Sequence, residues 1–182
     1  RVAVCKFNIF RQAVIGRLEL FISAGIALLK PEMPVVLFQR VRNIGIRLRL
    51  AVELRHTLTA QGAQVECLLG FRDEPYRLAH FAGGGRRVRI ATDTGSYGHH
   101  GFVTELLQPQ NYDVVYICGP EPMMRATVQK CLAAGTKCYV SMERKMACGL
   151  GACLGCTCKT EKGALVCICK EGPVFEGGVF FG

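Results

Sequence analysis

Val114-Val115-Tyr116-Ile117-Cys118-Gly119-Pro120-Glu121-Pro122-Met123 decides how this chain is to be read, because it changes character twice in ten residues. Its first half is apolar without a break and rich in β-branched side chains, as a strand buried on both faces requires. Gly119-Pro120 then forces a turn, and Pro122 suits a first helical turn, where its missing N–H has no partner to lose. Met124, Val128 and Cys131/Leu132 continue as an apolar helical stripe, and Gly135 supplies the stop.

The same alternation extends outward in both directions. Val35 to Phe38 reads as a strand; Ile46, Leu50, Leu54 and Leu58 then recur at helical spacing up to Gly62. Val65 to Phe71 is a second, buried strand. A shorter helical segment near Pro75 to Phe81 leads through Gly83-Gly84-Gly85 to a third strand, Val88 to Ala91, and Cys138 to Ser141 completes the series. Strands alternating with helices predict an α/β fold with a mostly parallel sheet. In such sheets ligands bind beyond the carboxyl ends of the strands, which singles out the loops Gln39 to Gly45, Asp93 to Gly101 and Cys118 to Met123.

After the last strand the composition changes. Six of the eleven cysteines fall between Cys148 and Cys169, and four of them read Cys148-x4-Cys153-x2-Cys156-x12-Cys169. That spacing is the plant-type thiolate pattern for a 2Fe-2S cluster. Gly149-Leu150-Gly151-Ala152 lets backbone amides wrap a charged sulfide closely. Zinc is the alternative, but a zinc ribbon wants two C-x2-C knuckles and only Cys153 to Cys156 has that spacing. A disulfide framework fits less well, because the odd cysteine count, the length of 182 residues and the lack of a signal peptide point to a reducing compartment, the cytoplasm. If Thr160 to Leu165 closes a hairpin through Glu161-Lys162-Gly163-Ala164, Cys156 faces Cys169 and Cys158 faces Cys167. On that register Cys158 and Cys167 are non-ligand neighbours.

Charge and hydropathy exclude two classes. The formal net charge is +9, but residues 1–50 carry +7 of it, scattered through apolar sequence without aromatic interleaving or a nucleic-acid motif. No nucleic-acid partner is expected. The longest apolar stretch, Leu20 to Leu29, has ten residues and includes Ser23 and Gly25, against about 20 needed to cross a bilayer. No membrane association is expected either.

A Cys118-Gly119-Pro120-Glu121-Pro122-Met123 strand end followed by a cysteine loop resembles the ferredoxin-reductase-like flavoproteins. The likeness narrows with Tyr139-Val140-Ser141-Met142-Glu143-Arg144-Lys145-Met146-Ala147-Cys148-Gly149-Leu150-Gly151-Ala152-Cys153-Leu154-Gly155-Cys156 and Cys169-Lys170-Glu171-Gly172-Pro173-Val174-Phe175. With Ala91-Thr92-Asp93-Thr94-Gly95-Ser96-Tyr97-Gly98 and Leu69-Gly70-Phe71-Arg72, these resemble the electron transfer subunits of NAD-dependent dihydroorotate dehydrogenase B, from about Leu50 to Phe175. The resemblance implies a ferredoxin-reductase-type nucleotide-binding domain with a C-terminal 2Fe-2S module, and FAD at a junction with a preceding flavin barrel. It implies Cys148, Cys153, Cys156 and Cys169 on the cluster, and Gly45 and Gly119, Pro120, Glu121, Pro122 and Met123 on the nucleotide. It further implies a catalytic partner subunit that carries FMN and oxidises dihydroorotate, a heterotetrameric assembly, and a path from FMN through 2Fe-2S and FAD to NAD+ in pyrimidine biosynthesis. A cluster moves one electron, nicotinamide takes two as hydride, and a flavin can do both. The alternatives are a ferredoxin:NADP or sulfide dehydrogenase type of subunit, or a zinc-stabilised interaction module without redox activity.

The expected domains are a remnant of the flavin barrel over 1–33, an NAD-binding domain over 34–141 and the cluster module over 142–182. The front departs from the family. Val41-Arg42-Asn43-Ile44-Gly45-Ile46-Arg47-Leu48 stands where a glycine-rich run belongs, Ile22-Ser23-Ala24-Gly25 replaces a glycine/proline turn, and the chain starts with Arg1. Lost glycines and gained arginines fit a truncated or frame-shifted reading, or a divergent front; in the first case the chain alone binds FAD weakly or not at all. Among other candidates, His99-His100 are read as solvent-facing turn residues rather than ligands or proton carriers. Asp93 is a ribose contact or a loop cap, Arg72 an adenosine contact or solvated, and Cys118 a hydride neighbour or a small buried hydrophobe.

Overall fold

The computed structural model of the chain describes residues 34–40, 46–76, 78–81 and 88–182. The barrel remnant expected over 1–33 and the loop carrying Gly45 lie outside the described residues.

Strand β1 (Pro34–Arg40) is followed by helix α1 (Ile46–Ala60), β2 (Gln64–Phe71), β3 (Val88–Thr92), β4 (His99–His100) and β5 (Val114–Cys118). Helix α2 (Glu121–Ala133), β6 (Lys137–Ser141), the hairpin β7 (Thr157–Lys159) and β8 (Leu165–Cys167), a short helix α3 (Ile168–Glu171), β9 (Val174–Glu176) and a last turn α4 (Gly178–Phe181) complete it. The strands lie in the order β4-β3-β2-β1-β5-β6-β9, with all neighbours parallel except the β6–β9 pair. The helical segment expected near Pro75 to Phe81 is a single 3-10 turn, Leu78–Phe81. Four residues of that sequence are too few to propagate an α-helix.

The central strands alternate between two apolar layers. Val115 and Ile117 of β5, with Leu68 and Val140, pack in one cluster with Met124, Val128 and Cys131 of α2. Val114 and Tyr116, with Val65, Cys67 and Leu69, pack in the other with Leu54 and Leu58 of α1. Val115, Leu58 and Val128 are fully buried, each worth about 1.5–3 kcal/mol of transfer free energy. The first cluster also takes in Cys156, Cys158, Cys167, Ile168, Phe180 and Phe181, so one core runs from the sheet into the cysteine-rich end. β9 extends the sheet from that end, and the Met142 amide donates to the Pro173 carbonyl at 2.8 Å.

Strand order positions the candidate site. From β1 the chain steps outward through β2, β3 and β4, then crosses back to lay β5 and β6 on the other side of β1. The crevice outside the carboxyl ends of β1 and β5 is therefore a topological switch point, where open α/β sheets take ligands. Cys118 pairs with Gln39 on one side and Ser141 on the other, so Gly119-Pro120-Glu121 opens at that switch. α2 starts there with the Met124 amide donating to the Pro120 carbonyl at 3.0 Å, and it closes at Gly135, φ +70°, with Thr136 N–H on the Cys131 carbonyl at 2.9 Å.

The hairpin corrects one expectation. Thr157 pairs with Cys167, Cys158 with Val166 and Lys159 with Leu165, one residue away from the predicted register. The turn holds three residues, not four: the Thr160 amide donates to the Ala164 carbonyl at 2.8 Å, and Gly163 takes φ +84°. Three-residue hairpin loops end on such a left-handed residue, and glycine takes that conformation without a Cβ penalty. Cys158 therefore does not face Cys167.

Candidate metal centre and its nucleotide edge

The cysteine loop leaves β6 directly beside the turn that follows β5. Gly149, Gly151 and Leu154 have φ of +70°, +80° and +55°, which folds the backbone around its own sulfurs. A Cβ at Gly151 would meet the Lys170 Cδ at 2.9 Å, so the loop and α3 close on each other with no slack. Amides of Leu150 and Cys153 both point at Cys148 Sγ at 3.4 Å, that of Gly155 at Cys153 Sγ at 3.4 Å, and that of Cys169 at Cys156 Sγ at 3.4 Å. Such donors favour thiolate over thiol.

Electrostatics sort the four sulfurs into two pairs. The Cys153 and Leu150 amides, helped by the Cys153 thiol, lower Cys148 to about 6. Burial works against ionisation of Cys156, but the Cys169 amide and thiol outweigh it and hold Cys156 below the usual thiol range. Burial, then the hydrogen bond with Cys156, raises Cys169 to about 11. Among the described residues no three His, Cys, Asp or Glu side chains converge as for a mononuclear ion. The sulfurs fall in two pairs, Cys148 with Cys153 and Cys156 with Cys169, and four cysteines are the number that a binuclear iron centre takes over its two irons. The hairpin slip does not break the second pair, since α3 brings the Cys169 amide onto Cys156 Sγ.

The remaining two hairpin cysteines are engaged elsewhere. Cys158 Sγ accepts from Arg144 Nε at 2.8 Å and lies 3.8 Å from the Cys156 carbonyl, while Cys167 Sγ lies 3.4 Å from Thr157 Oγ1. The Cys167 amide donates to Glu171 Oε1 at 2.9 Å. Arg144 was not singled out by sequence spacing, because its partners Cys158 and Glu121 are distant in the chain and meet it only through the fold.

At the nucleotide edge, Gly119 and Met123 are buried, Pro120 is half-buried, and Glu121 and Pro122 are exposed. A cavity of about 240 Å³ is lined by Gly70, Phe71 and Asp93 at the ends of β2 and β3, by Phe102 and Thr104, and by Pro122 and Met123 of α2. Arg72 lies outside that lining, exposed beside Asp73 at 4.0 Å. His99 is no isolated turn residue: its Nε2 lies 2.7 Å from Glu105 Oε2, and Glu105 Oε1 accepts the Phe102 amide at 3.3 Å. The loop is tightly fitted, since a Cβ at Gly98 would overlap the Ile90 carbonyl and one at Gly101 would meet Glu105 Oε2 at 2.7 Å.

His99, then the Phe102 amide, holds the Glu105 carboxyl below the usual carboxylate range. A depressed folded-state value means that this contribution is present above the ordinary carboxylate range and lost as pH falls through the folded value. Acidification through and below the ordinary carboxylate range is therefore expected to loosen residues 99–105. Amide exchange of Phe102 against pH checks this, and Glu105→Gln is expected to flatten that acid-side rise.

Residues 143–180 match the family described as the iron-sulfur cluster binding domain of dihydroorotate dehydrogenase B. Over 108 residues the chain is 52% identical to the dihydroorotate dehydrogenase B (NAD(+)) electron transfer subunit of Clostridium perfringens, covering 59% of this chain and 44% of that protein. The protein of the same name from Caldanaerobacter subterraneus subsp. tengcongensis is 37% identical over 142 residues, 75% of this chain and 57% of its own length. The chain thus spans about half the length of the curated relatives it matches. In fold it resembles a chain of an NADH-dependent reduced ferredoxin-NADP oxidoreductase, with a TM-score of 0.61 at 22% identity over 81% of this chain and 53% of that one. That likeness identifies the α/β architecture as the ferredoxin-reductase type, and by sequence the chain is similar to dihydroorotate dehydrogenase B electron transfer subunits over about half of their length.

Proposed function

We propose that this chain is the nucleotide- and cluster-binding part of an electron transfer subunit working in the cytoplasm. It passes electrons from an FMN-bearing, dihydroorotate-oxidising partner through a 2Fe-2S cluster and FAD to NAD+, within a heterotetramer that serves pyrimidine biosynthesis. The observation that carries this reading is a loop, leaving β6 beside the switch-point turn, that holds three amide-supported sulfurs, those of Cys148, Cys153 and Cys156, with Cys169 brought onto Cys156 by α3.

Held by Cys148, Cys153, Cys156 and Cys169, the cluster supplies a one-electron relay. The chain's own residues do the rest. The Leu150, Cys153, Gly155 and Cys169 amides point at the sulfurs of Cys148, Cys153 and Cys156 and would share the negative charge of a bound cluster. Gly119 lets a flat ring approach the backbone at the end of β5, Pro120 and Pro122 stiffen the turn, and Met123 closes it from beneath. Asp93 and Phe102 line the adjoining cavity, which suits the ribose and base end of a dinucleotide. The residues expected to meet FAD, Gly45 among them, lie outside the described residues. The separation into domains 34–141 and 142–182 is retained as a functional division, nucleotide on one side and cluster on the other.

Anaerobic reconstitution of the full chain with iron and sulfide tests the reading. The expected product contains iron and acid-labile sulfide in equal amounts, absorbs in the visible, and bleaches on reduction. Stoichiometric zinc without iron overturns it in favour of a structural metal module.

A further inference from the structure

Between the candidate cluster and the nucleotide turn runs a directed chain of hydrogen bonds to which neither part of the proposed function assigns a role. Arg144 Nη2 donates to Glu121 Oε2 at 3.4 Å, and Arg144 Nε donates to Cys158 Sγ at 2.8 Å. The Cys158 thiol donates in turn to the Cys156 carbonyl at 3.8 Å. Glu121 opens α2 at the switch point, and Cys156 is a ligand in the reading above. We propose that Arg144 is a positioning residue that holds its cation against the cluster-bearing hairpin and raises the cluster's reduction potential, with Glu121 as its counter-anion. The inference rests on the proposed cluster at Cys148, Cys153, Cys156 and Cys169.

The physical argument concerns charge. Reduction adds negative charge to a cluster already held by four thiolates, and its potential follows net local charge, hydrogen bonding near the sulfurs and exposure. A guanidinium is charged at every working pH and presents Nε–H and Nη–H in a fixed fork, so one side chain can serve Cys158 and Glu121 together. Arg144 is 41% exposed and Glu121 48%, so water screens their mutual attraction. The inward contact is different: Cys158 is buried, and there the field of the cation is weakly screened. Cys158 has its proton on the Cys156 carbonyl and its lone pair toward Arg144, which gives this non-ligand cysteine a function as the spacer between cation and ligand. Glu121 tempers the cation from the other end. A change of charge at the nucleotide turn therefore reaches Cys156 through three hydrogen bonds.

The test is a mediated redox titration, followed by visible absorbance and electron paramagnetic resonance, of the full chain reconstituted with iron and sulfide. Wild type, Arg144→Gln, Arg144→Lys and Glu121→Gln are compared. Arg144→Gln is expected to shift the reduction equilibrium toward the oxidised cluster by about tenfold, 59 mV for one electron. Arg144→Lys keeps the charge and is expected to stay closer to wild type than to Arg144→Gln. Glu121→Gln removes the counter-anion and is expected to shift the equilibrium the other way. Equal potentials in wild type and Arg144→Gln with the cluster intact overturn the inference, as does Arg144→Lys falling as far as Arg144→Gln. Should Arg144→Gln lose the cluster, the other two variants decide: a raised potential in Glu121→Gln with Arg144→Lys near wild type supports the inference, and any other pairing overturns it. A wild-type chain that takes up no iron refutes the proposed function itself, and the inference with it.

Discussion

Cys156→Ser and Cys169→Ser are each expected to reduce the visible absorbance and bound iron of the reconstituted chain to near background, whereas Cys158→Ser and Cys167→Ser retain both. All four positions lie within fourteen residues of one another on a single hairpin and helix, so proximity alone does not separate them. Their partners do. Cys156 Sγ takes the Cys169 amide, and the pair titrates as a unit in which Cys156 is lowered and Cys169 raised. Cys158 Sγ is committed to Arg144 and the Cys156 carbonyl, and Cys167 Sγ faces the Thr157 hydroxyl. Recruiting either as a ligand breaks that contact. A serine hydroxyl, by contrast, fills the Cys158 or Cys167 position as a small hydrogen-bonding group, while at Cys156 it replaces a soft thiolate with a poor iron donor. Iron and acid-labile sulfide assays beside the absorbance spectrum check the set. Loss of the spectrum in Cys158→Ser with retention in Cys169→Ser sinks the ligand assignment.

The parts of this arrangement that were legible in the sequence are those written in local patterns. β5 reads from Val114 to Cys118 with its bounds intact, because five successive apolar residues, mostly β-branched and closed by Gly119-Pro120, are too short for a helix and suit a strand buried on both sides. The closure of α2 at Gly135 reads equally well, since a left-handed residue after the last turn calls for glycine. The cysteine spacing is local in the same way: C-x4-C-x2-C fixes a loop too short to hold its sulfurs far apart. The hairpin register is not, because Glu161-Lys162-Gly163 and Glu161-Lys162-Gly163-Ala164 are both acceptable turns, and a one-residue difference changes every pairing. The pairing of His99 with Glu105 and the Arg144 bridge escape sequence reading altogether. Each depends on where a side chain ends after the backbone has turned, and neither leaves a periodic trace.

Phe181→Ala is expected to destabilise the chain by about 3–5 kcal/mol, a cost set by a large buried ring removed from a site unable to collapse. Phe181 is 2% exposed in the last turn, α4, and packs in the core cluster that also holds Cys156, Cys158 and Cys167. Just before it, Gly177 crosses α2 and β6 so closely that a Cβ would meet Cys138 Sγ at 2.6 Å and Val128 Cγ2 at 2.9 Å. The backbone therefore has little freedom to sink into the vacated volume, and the cavity term is retained. Arg125 lies over the same ring at 5.1 Å, but that contact is a cation–π pair on an exposed helix face. Arg125→Ala is accordingly expected to cost only about 0.5–1 kcal/mol. The ratio between the two variants identifies burial as the dominant effect. Urea unfolding checks it: a midpoint drop of more than about 1 M for Phe181→Ala against a small one for Arg125→Ala, at slopes of 1–3 kcal/mol per molar. The consequence reaches the metal centre, because the Glu161 amide in the hairpin turn donates to the Val179 carbonyl at 2.9 Å. Loosening α4 releases that turn, and the hairpin that positions Cys156 goes with it. Phe181→Ala should therefore also lose its cluster to a chelator faster than Arg125→Ala at temperatures where both remain folded; equal rates would mean that the hairpin holds its cysteines without the C-terminal turn.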